Sequence, residues 1–230
     1  MILERLNLSD KYFKEGYYIV QDESSSLVAL AINEDVKKDY KILDTCAAPG
    51  GKSLHVASRY FNSSLVSCDK YIHKLKLIAN NVEKLAIKNI TTMEQDATKL
   101  NKNFENNFDI VICDVPCSGI GVIKNKPEIK YKITNSYVED IAKLQQQILE
   151  NSKNYVKENG VLMYSTCTID KRENIENIEK FLKNNSNFKL EKISLNNSIV
   201  KENEQGVLDM LPDEYKCDGF FIAKLRKVKQ

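Results

Sequence analysis

Residues 44–53 read DTCAAPGGKS, with the apolar run KIL (41–43) before them and a helical pattern, Lys52–Tyr60, running out of them. A strand, a loop of small residues and a helix in that order open an α/β unit. The tail Gly51-Lys52-Ser53 looks like the end of a phosphate-binding P-loop. That pattern needs a glycine five residues before Gly51, and Cys46 stands there. Cysteine does not reach the glycine-only conformations that let such a loop curl around phosphates. The stretch is either a damaged P-loop or a different loop, and the rest of the chain decides.

Outward from the loop, short apolar runs alternate with amphipathic stretches. Strands are predicted at 41–45, 65–69, 90–96, 108–114 and 160–166, rich in Val, Ile and Leu as strands covered on both faces are. Helices are predicted at Lys52–Tyr60, Tyr71–Leu85, Asn135–Val156 and Asp170–Lys183. Repeated βαβ units of this kind predict a mostly parallel, doubly wound sheet. GFFIAKLRK (219–227) reads as a further strand at or near the sheet edge, and KLRKVK (224–229) as a solvated tail. VQDESSSLVALAI (20–32) carries a turn, a Ser/Asp N-cap and a short helix. Residues 1–20 form a lead-in or linker, helical over 1–16, and 21–230 form one domain. Asn- and Lys-rich 101–107 and 183–203 read as surface loops, the second around one weak strand.

Composition bounds what such a domain does. A chain of 230 residues with 42% hydrophobic and 29% charged residues builds a substantial core and is not generally disordered. A net charge of +2 leaves any nucleic-acid affinity to local patches. No apolar run spans a bilayer, and MILERLNLSD lacks a signal-peptide core, so a cytoplasmic monomer without membrane attachment is expected. Six scattered cysteines make no disulfide scaffold, and without a paired CxxC no metal site is expected. His55 and His73 fall inside predicted helices.

Ligands of an open parallel sheet bind at the carboxyl ends of its strands, around the switch point. The loop Cys46, Ala47, Ala48, Pro49, Gly50, Gly51, Lys52 lets a ligand approach the backbone, and the helix start favours an anionic group. Asp69, ending the second strand, is placed to hold two ribose hydroxyls. Asp96, ending the third, is placed to accept from an adenine amino group. A single such Asp is commonly a helix cap; three acids in register, counting Asp44, favour a nucleoside with an amino-acid tail, S-adenosyl-L-methionine. A dinucleotide fits less well because GxGxxG is absent.

The fourth and fifth strands end in DVPCSG (114–119) and STCT (165–168). Free cysteine is commonly a small buried hydrophobe, which is the reading for Cys68 and Cys113 inside strands. Cys117 and Cys167 instead lie in polar turns on the cofactor edge, which suggests nucleophilic chemistry. DTCAAPGGKS, CDKYIHKLKLIANNVEKL, EQDATKL, DVPCSGIGVIKNKPEIKY, YSTCTIDKRENIENI and LP…CDGFFIAKL together resemble the RNA (cytosine-5)-methyltransferases, over roughly Gln21 to Lys227. The nearest group is the bacterial Sun/Fmu or small-subunit ribosomal RNA methyltransferase B type. The resemblance answers the opening question in favour of a methyl-donor loop.

It implies a Rossmann-like class I methyltransferase fold with an antiparallel C-terminal strand, S-adenosyl-L-methionine as cofactor and RNA, foremost 16S ribosomal RNA, as substrate. It implies Cys167 as the nucleophile on C6 of cytosine, Cys117 as the group assisting release, and Asp114 as a contact to the base and the cofactor side. Lys52 is a candidate for electropositive help to the thiol or for the carboxylate tail. Beside DVPC, the segment 121–132 offers Lys124, Lys126 and Lys130 for phosphates and Tyr131 for base stacking. The target base must be unpaired or flipped out to reach Cys167. DNA cytosine-5 enzymes differ, since no ENV follows Cys117, and amino-group methyltransferases carry a (D/N)PPY motif that this chain lacks. DVPC replaces the family's usual DAPC, and the helical RNA-binding domain that bacterial members carry ahead of the catalytic domain is expected to be absent. Methylation of transfer RNA or another RNA, a non-catalytic RNA-binding or ribosome-assembly factor, and nucleotide hydrolysis stand as alternatives.

Overall fold

The run Ile42-Leu43 has no exposed surface on either side chain, which requires a layer on each face of its strand. A computed structural model of the chain describes residues 10–195, 205–215 and 217–229, and supplies those layers. The strands are β1 (Lys41–Asp44), β2 (Ser64–Asp69), β3 (Ile90–Glu94), β4 (Phe108–Asp114), β5 (Val156–Thr166), β6 (Phe188–Leu190), β7 (Val207–Met210) and β8 (Phe220–Lys227). The helices are α1 (Lys11–Lys14), α2 (Glu23–Ala31), α3 (Gly51–Arg59), α4 (Ile72–Lys84), α5 (Asn135–Ser152), α6 (Ile175–Asn184) and α7 (Pro212–Tyr215).

The sheet order is β3-β2-β1-β4-β5-β8-β6, with β7 also on β8. β1 to β5 are mutually parallel and β8 is antiparallel to β5. The order reverses between β1 and β4, so the crevice for a ligand opens beyond Asp44 and Asp114. Alternate residues go to opposite faces. Ile42, Ile110, Ile112, Met163 and Ile222 pack with α2 and α3 through Leu27, Leu54 and Val56. Leu43, Val111, Leu162, Tyr164 and Phe221 pack with α5 and α6 through Ile148, Leu149, Ile178 and Phe181. Both clusters consist of side chains almost wholly removed from water, each worth about 1.5–3 kcal/mol on burial.

Several boundaries differ from the sequence-based expectation, for identifiable reasons. α5 ends at Ser152, and Lys153–Tyr155 make a 3₁₀ turn into β5, which starts at Val156 rather than Gly160. Buried Tyr155 extends the apolar period past the helix end, packing edge-on to Phe104, which itself anchors the expected surface loop 101–107. α6 starts at Ile175, not Asp170, because residues 171–174 form a turn that sends Glu173 and Asn174 inward. β8 lies one place inside the sheet edge, and β6 and β7 share its outer side. β6 is the weak strand expected within 183–203, of which 196–203 lie outside the described residues, as do 1–9 of the lead-in.

The solvated-tail reading of KLRKVK is corrected by the same strand. Lys224 is 2% exposed, with its Nζ 2.8 Å from Glu191 and 3.5 Å from Glu34. Arg226 pairs with both of these acids, lying 2.5 Å from Glu191. The Arg226 guanidinium, ahead of Lys224, holds the Glu191 carboxyl down to about 2. Two cations on one strand are thus neutralised by acids from β6's end and the turn after α2, which permits their burial.

Candidate active site

The loop that opens the argument is pinned at both ends. Asp44 is fully buried and its Oδ2 accepts from Ser53 Oγ on α3 at 2.6 Å, while Ser67 Oγ on β2 donates to Ser53 Oγ at 2.9 Å. Burial pushes the Asp44 carboxyl up to about 7. Between these ends four backbone N–H groups are already engaged. Thr45 donates to Ile112 O, Cys46 to Asp44 Oδ1, Ala47 to Cys68 O and Gly50 to Ala47 O. A phosphate cradle needs such donors free, so this loop is not built as a P-loop. Gly50 turns the chain at φ 108°, where a Cβ would stand 3.1 Å from Ile78 of α4.

Asp69, Asp96 and Asp114 line one cavity of about 400 Å³, within the range of small-molecule sites, whereas Asp44, counted with the strand-end acids in the sequence, is buried against Ser53 and does not. Cys46, Ala48, Asp69, Asp96, Asp114, Cys117 and Cys167 all line it. Asp69 Oδ1 accepts from Tyr71 N–H at 3.0 Å, and its Oδ2 meets no protein donor among the described residues. Asp96 accepts from the Thr98 hydroxyl at 2.7 Å and pairs with Lys70 at 3.1 Å; the hydroxyl foremost holds its carboxyl below the usual range. Ala47, Pro49, Gly50 and Gly51 do not line the cavity. Lys52 does not line it either, and Pro49 and Gly51 face a separate hollow beside Phe13, Ile19 and Val20.

At the other end of the cavity, Asp114 accepts from Ser165 Oγ at 2.8 Å and from Lys52 Nζ at 2.7 Å. Lys52 thus reaches the acid of β4, and its ammonium also sits 5.2 Å from the Phe220 ring centroid. The sulfurs of Cys117 and Cys167 are 3.2 Å apart, and Cys167 N–H donates to Cys117 Sγ at 3.3 Å. The hydrogen bond from Cys117 moves the Cys167 thiol below its ordinary value, helped by Lys52 and Lys126 against burial and Asp114. The same bond, with burial, moves Cys117 far upward. The two shifts run in opposite directions, which favours Cys167 as the sulfur that ionises first and Cys117 as its donor. Cys68 and Cys113 are core residues, as expected, with burial pushing them up to about 12 and about 11.

The basic segment leaves from beside this pair. Gly121 N–H donates to Cys167 O at 3.1 Å, and Gly219 N–H to Gly121 O at 2.9 Å. A Cβ on Gly121 would fall 2.2 Å from Gly219 O, so only glycine allows the crossing. Lys124, Lys126, Lys130 and Tyr131 lie outside the cavity on the adjoining surface; Tyr131 is 81% exposed with Lys130 Nζ 4.9 Å from its ring centroid. Residues that sequence reasoning missed include Tyr71, Lys74, Gln95, Leu144 and Ile148 of the cavity wall. Tyr71, two residues after Asp69, had a positional signal; Leu144 and Ile148 read as ordinary helix core. Among the described residues no group of three or more His, Cys, Asp or Glu is placed to hold a metal, and no helix is long and apolar enough to cross a membrane.

Comparison with known proteins agrees with this geometry. The family model described as 16S rRNA methyltransferase RsmB/F matches residues 29–226. The probable ribosomal RNA small subunit methyltransferase B of Bacillus subtilis is 41% identical over 222 residues, covering 94% of this chain and 49% of that protein. Ribosomal RNA small subunit methyltransferase F of Escherichia coli O157:H7 is 28% identical over 219 residues, covering 93% of this chain and 46% of its own. The chain therefore spans about half the length of the curated relatives it matches. The structure of NSun6 from Pyrococcus horikoshii with SFG superposes with a TM-score of 0.85 at 30% identity, covering 98% of this chain and 57% of that one. The fold is that of the Rossmann-like S-adenosylmethionine-dependent methyltransferases, with antiparallel strands at the C-terminal edge.

Proposed function

The chain belongs to the 16S rRNA methyltransferase RsmB/F family, and from that premise we propose that it methylates C5 of a cytosine in RNA, foremost small-subunit ribosomal RNA, through a covalent adduct to Cys167. The observation that carries the reading is the pair of sulfurs 3.2 Å apart, lining one cavity with Asp69, Asp96 and Asp114. Pure RNA binding has no need of two sulfurs so arranged.

The cavity suits S-adenosylmethionine. Asp69 keeps one carboxylate oxygen without a protein donor, as a ribose diol requires, and Asp96 and Tyr71 stand beside it. Asp69, Asp96, Ala48 and Cys46 would hold the cofactor, which supplies an electrophilic methyl group when bound. C5 of cytosine is a poor nucleophile by itself. The Cys167 thiolate adds to C6 and gives C5 enamine character, while Asp114, fixed by Lys52 and Ser165, meets the base near N3 and its exocyclic amine.

Cys117 changes role in step with the adduct. Its thiol is held protonated first by donating to the Cys167 thiolate. Once that sulfur is bonded to carbon, the cause is removed and Cys117 ionises more readily. After C5 has gained the methyl group, with the demethylated cofactor as the leaving group, Cys117 takes the C5 proton, and the C6–S bond breaks to return Cys167 as thiolate. Lys124, Lys126 and Lys130 offer phosphate contacts on the adjoining surface. The test is Cys167→Ala with protein-free 16S ribosomal RNA and methyl-labelled S-adenosylmethionine. Label incorporation is expected to fall by about 10³-fold or more; turnover within about tenfold of the parent would overturn the assignment.

A further inference from the structure

We propose that Glu173, a buried carboxylate that reaches neither sulfur, is a positioning residue that holds both cysteine loops and fixes which sulfur serves as nucleophile. The inference deepens the reading above and rests on its assignment of Cys167.

Glu173 is 0% exposed. Its Oε2 accepts from Ser118 N–H at 2.8 Å and from Gln145 Nε2 at 2.9 Å, and its Oε1 accepts from Thr168 Oγ1 at 3.2 Å. Ser118 follows Cys117 and Thr168 follows Cys167, so one carboxylate ties together the residues next to both sulfurs. The tie is doubled by the Ser118 and Thr168 hydroxyls, 2.9 Å apart, and Gln145 also donates to Pro116 O at 3.0 Å. The chain makes the turn 171–174, instead of the expected first turn of α6, to bring this side chain in.

A purely structural tie would be served by a neutral amide. Among the described residues Glu173 forms no ion pair; Arg172 beside it is committed to Asp170 at 2.6 Å. Burying a carboxylate without a cation is costly, and three donors surround this one. The charge is placed unevenly: Glu173 takes the backbone N–H of Ser118, next to Cys117, but meets the Cys167 loop only through the Thr168 side chain. It adds to the causes that keep the proton on Cys117, after the bond to Cys167 and burial. On the far side, Lys52 and Lys126 favour the thiolate of Cys167 against Asp114. Tyr164, whose hydroxyl lies 2.6 Å from Glu173 O, is buried and held neutral by that burial, so it does not offset the asymmetry. An acid behind one thiol and cations beside the other favour Cys117 as the donor to Cys167.

The experiment is iodoacetamide alkylation of the whole protein under limiting reagent, with Cys117 and Cys167 peptides quantified across about pH 6 to about pH 10. In the parent, Cys167 is expected to react about tenfold faster than Cys117 or more. Glu173→Gln keeps the shape and removes the charge; the ratio is expected to fall at least about threefold, with the Cys117 midpoint moving down. Thr168→Val keeps the carboxylate and cuts its tie to the Cys167 loop, and is the second variant, expected to lower the ratio likewise. An unchanged ratio in whichever variant retains the parent circular dichroism overturns the proposal, as does equal labelling in the parent. The assay uses neither RNA nor cofactor. Methyl transfer surviving Cys167→Ala would sink the functional reading through a different measurement.

Discussion

At the scale of single residues, the site depends on which sulfur carries charge, and Lys52 is the accessible lever. Lys52→Met removes the cation beside Asp114 and Cys167. The Cys167 thiol should then titrate higher, and methyl transfer at neutral pH should slow by roughly 10–100-fold. The sign follows from the reactive form. A lowered thiol is thiolate over a wider range, so activity rises with pH through the Cys167 titration and levels off earlier in the parent than in the variant. A pH–rate profile checks it; coincident limbs would remove Lys52 from the account. Cys117, Cys167 and the acids Asp69, Asp96 and Asp114 could be picked out as candidates because each lies at or just past the end of a strand on the ligand edge. Glu173 was not assigned a role there, since a lone acid in a polar stretch shows neither its burial nor its partners, and Asp44, counted with the strand-end acids, proves to be buried against Ser53 away from the cavity.

At the scale of elements, the strands from β1 to β5 could be read because apolar runs between helical periods have few other solutions. Helix ends were less legible: Tyr155 continued the apolar period of α5 beyond its last turn, and nothing local marks 171–174 as a turn. β7, four residues long, carries too short a pattern to separate from loop. Two predictions belong here. Gly50→Ala forces a left-handed φ of 108° on a residue with a Cβ that meets Ile78. It should cost about 1–3 kcal/mol and weaken S-adenosylmethionine binding, read by thermal melting and calorimetry. Glu191→Gln leaves Lys224 and Arg226 short of an acid. The carboxyl of Glu191 is depressed to about 2, so its contribution is present above the unfolded value and disappears as pH falls through the folded one. The variant should melt lower at pH 7 and lose the parent's decline in stability between about pH 4.5 and about pH 2. Parallel melting curves would show that the pair is screened.

At the scale of the whole molecule, alternation of strand and helix gives a doubly wound sheet, but not its order, since pairing of β8 between β5 and β6 depends on contacts across the chain. The burial of Lys224 likewise rests on Glu34 and Glu191, far away in sequence. The exposed lysines beside the cavity give a molecule-scale expectation. Replacing Lys124, Lys126 and Lys130 with Ala together should reduce the salt slope of single-stranded RNA binding by about 2, while S-adenosylmethionine affinity holds. An unchanged slope in a filter-binding titration would move the RNA path elsewhere. The central claim joins these scales in one covalent event, and one gel tests it. Cys117→Ala is incubated with protein-free 16S ribosomal RNA and methyl-labelled S-adenosylmethionine, then denatured. The account predicts a labelled RNA–protein adduct that accumulates in this variant and vanishes when Cys167→Ala is added. Free methylated RNA with no adduct, or an adduct that persists without Cys167, would contradict it.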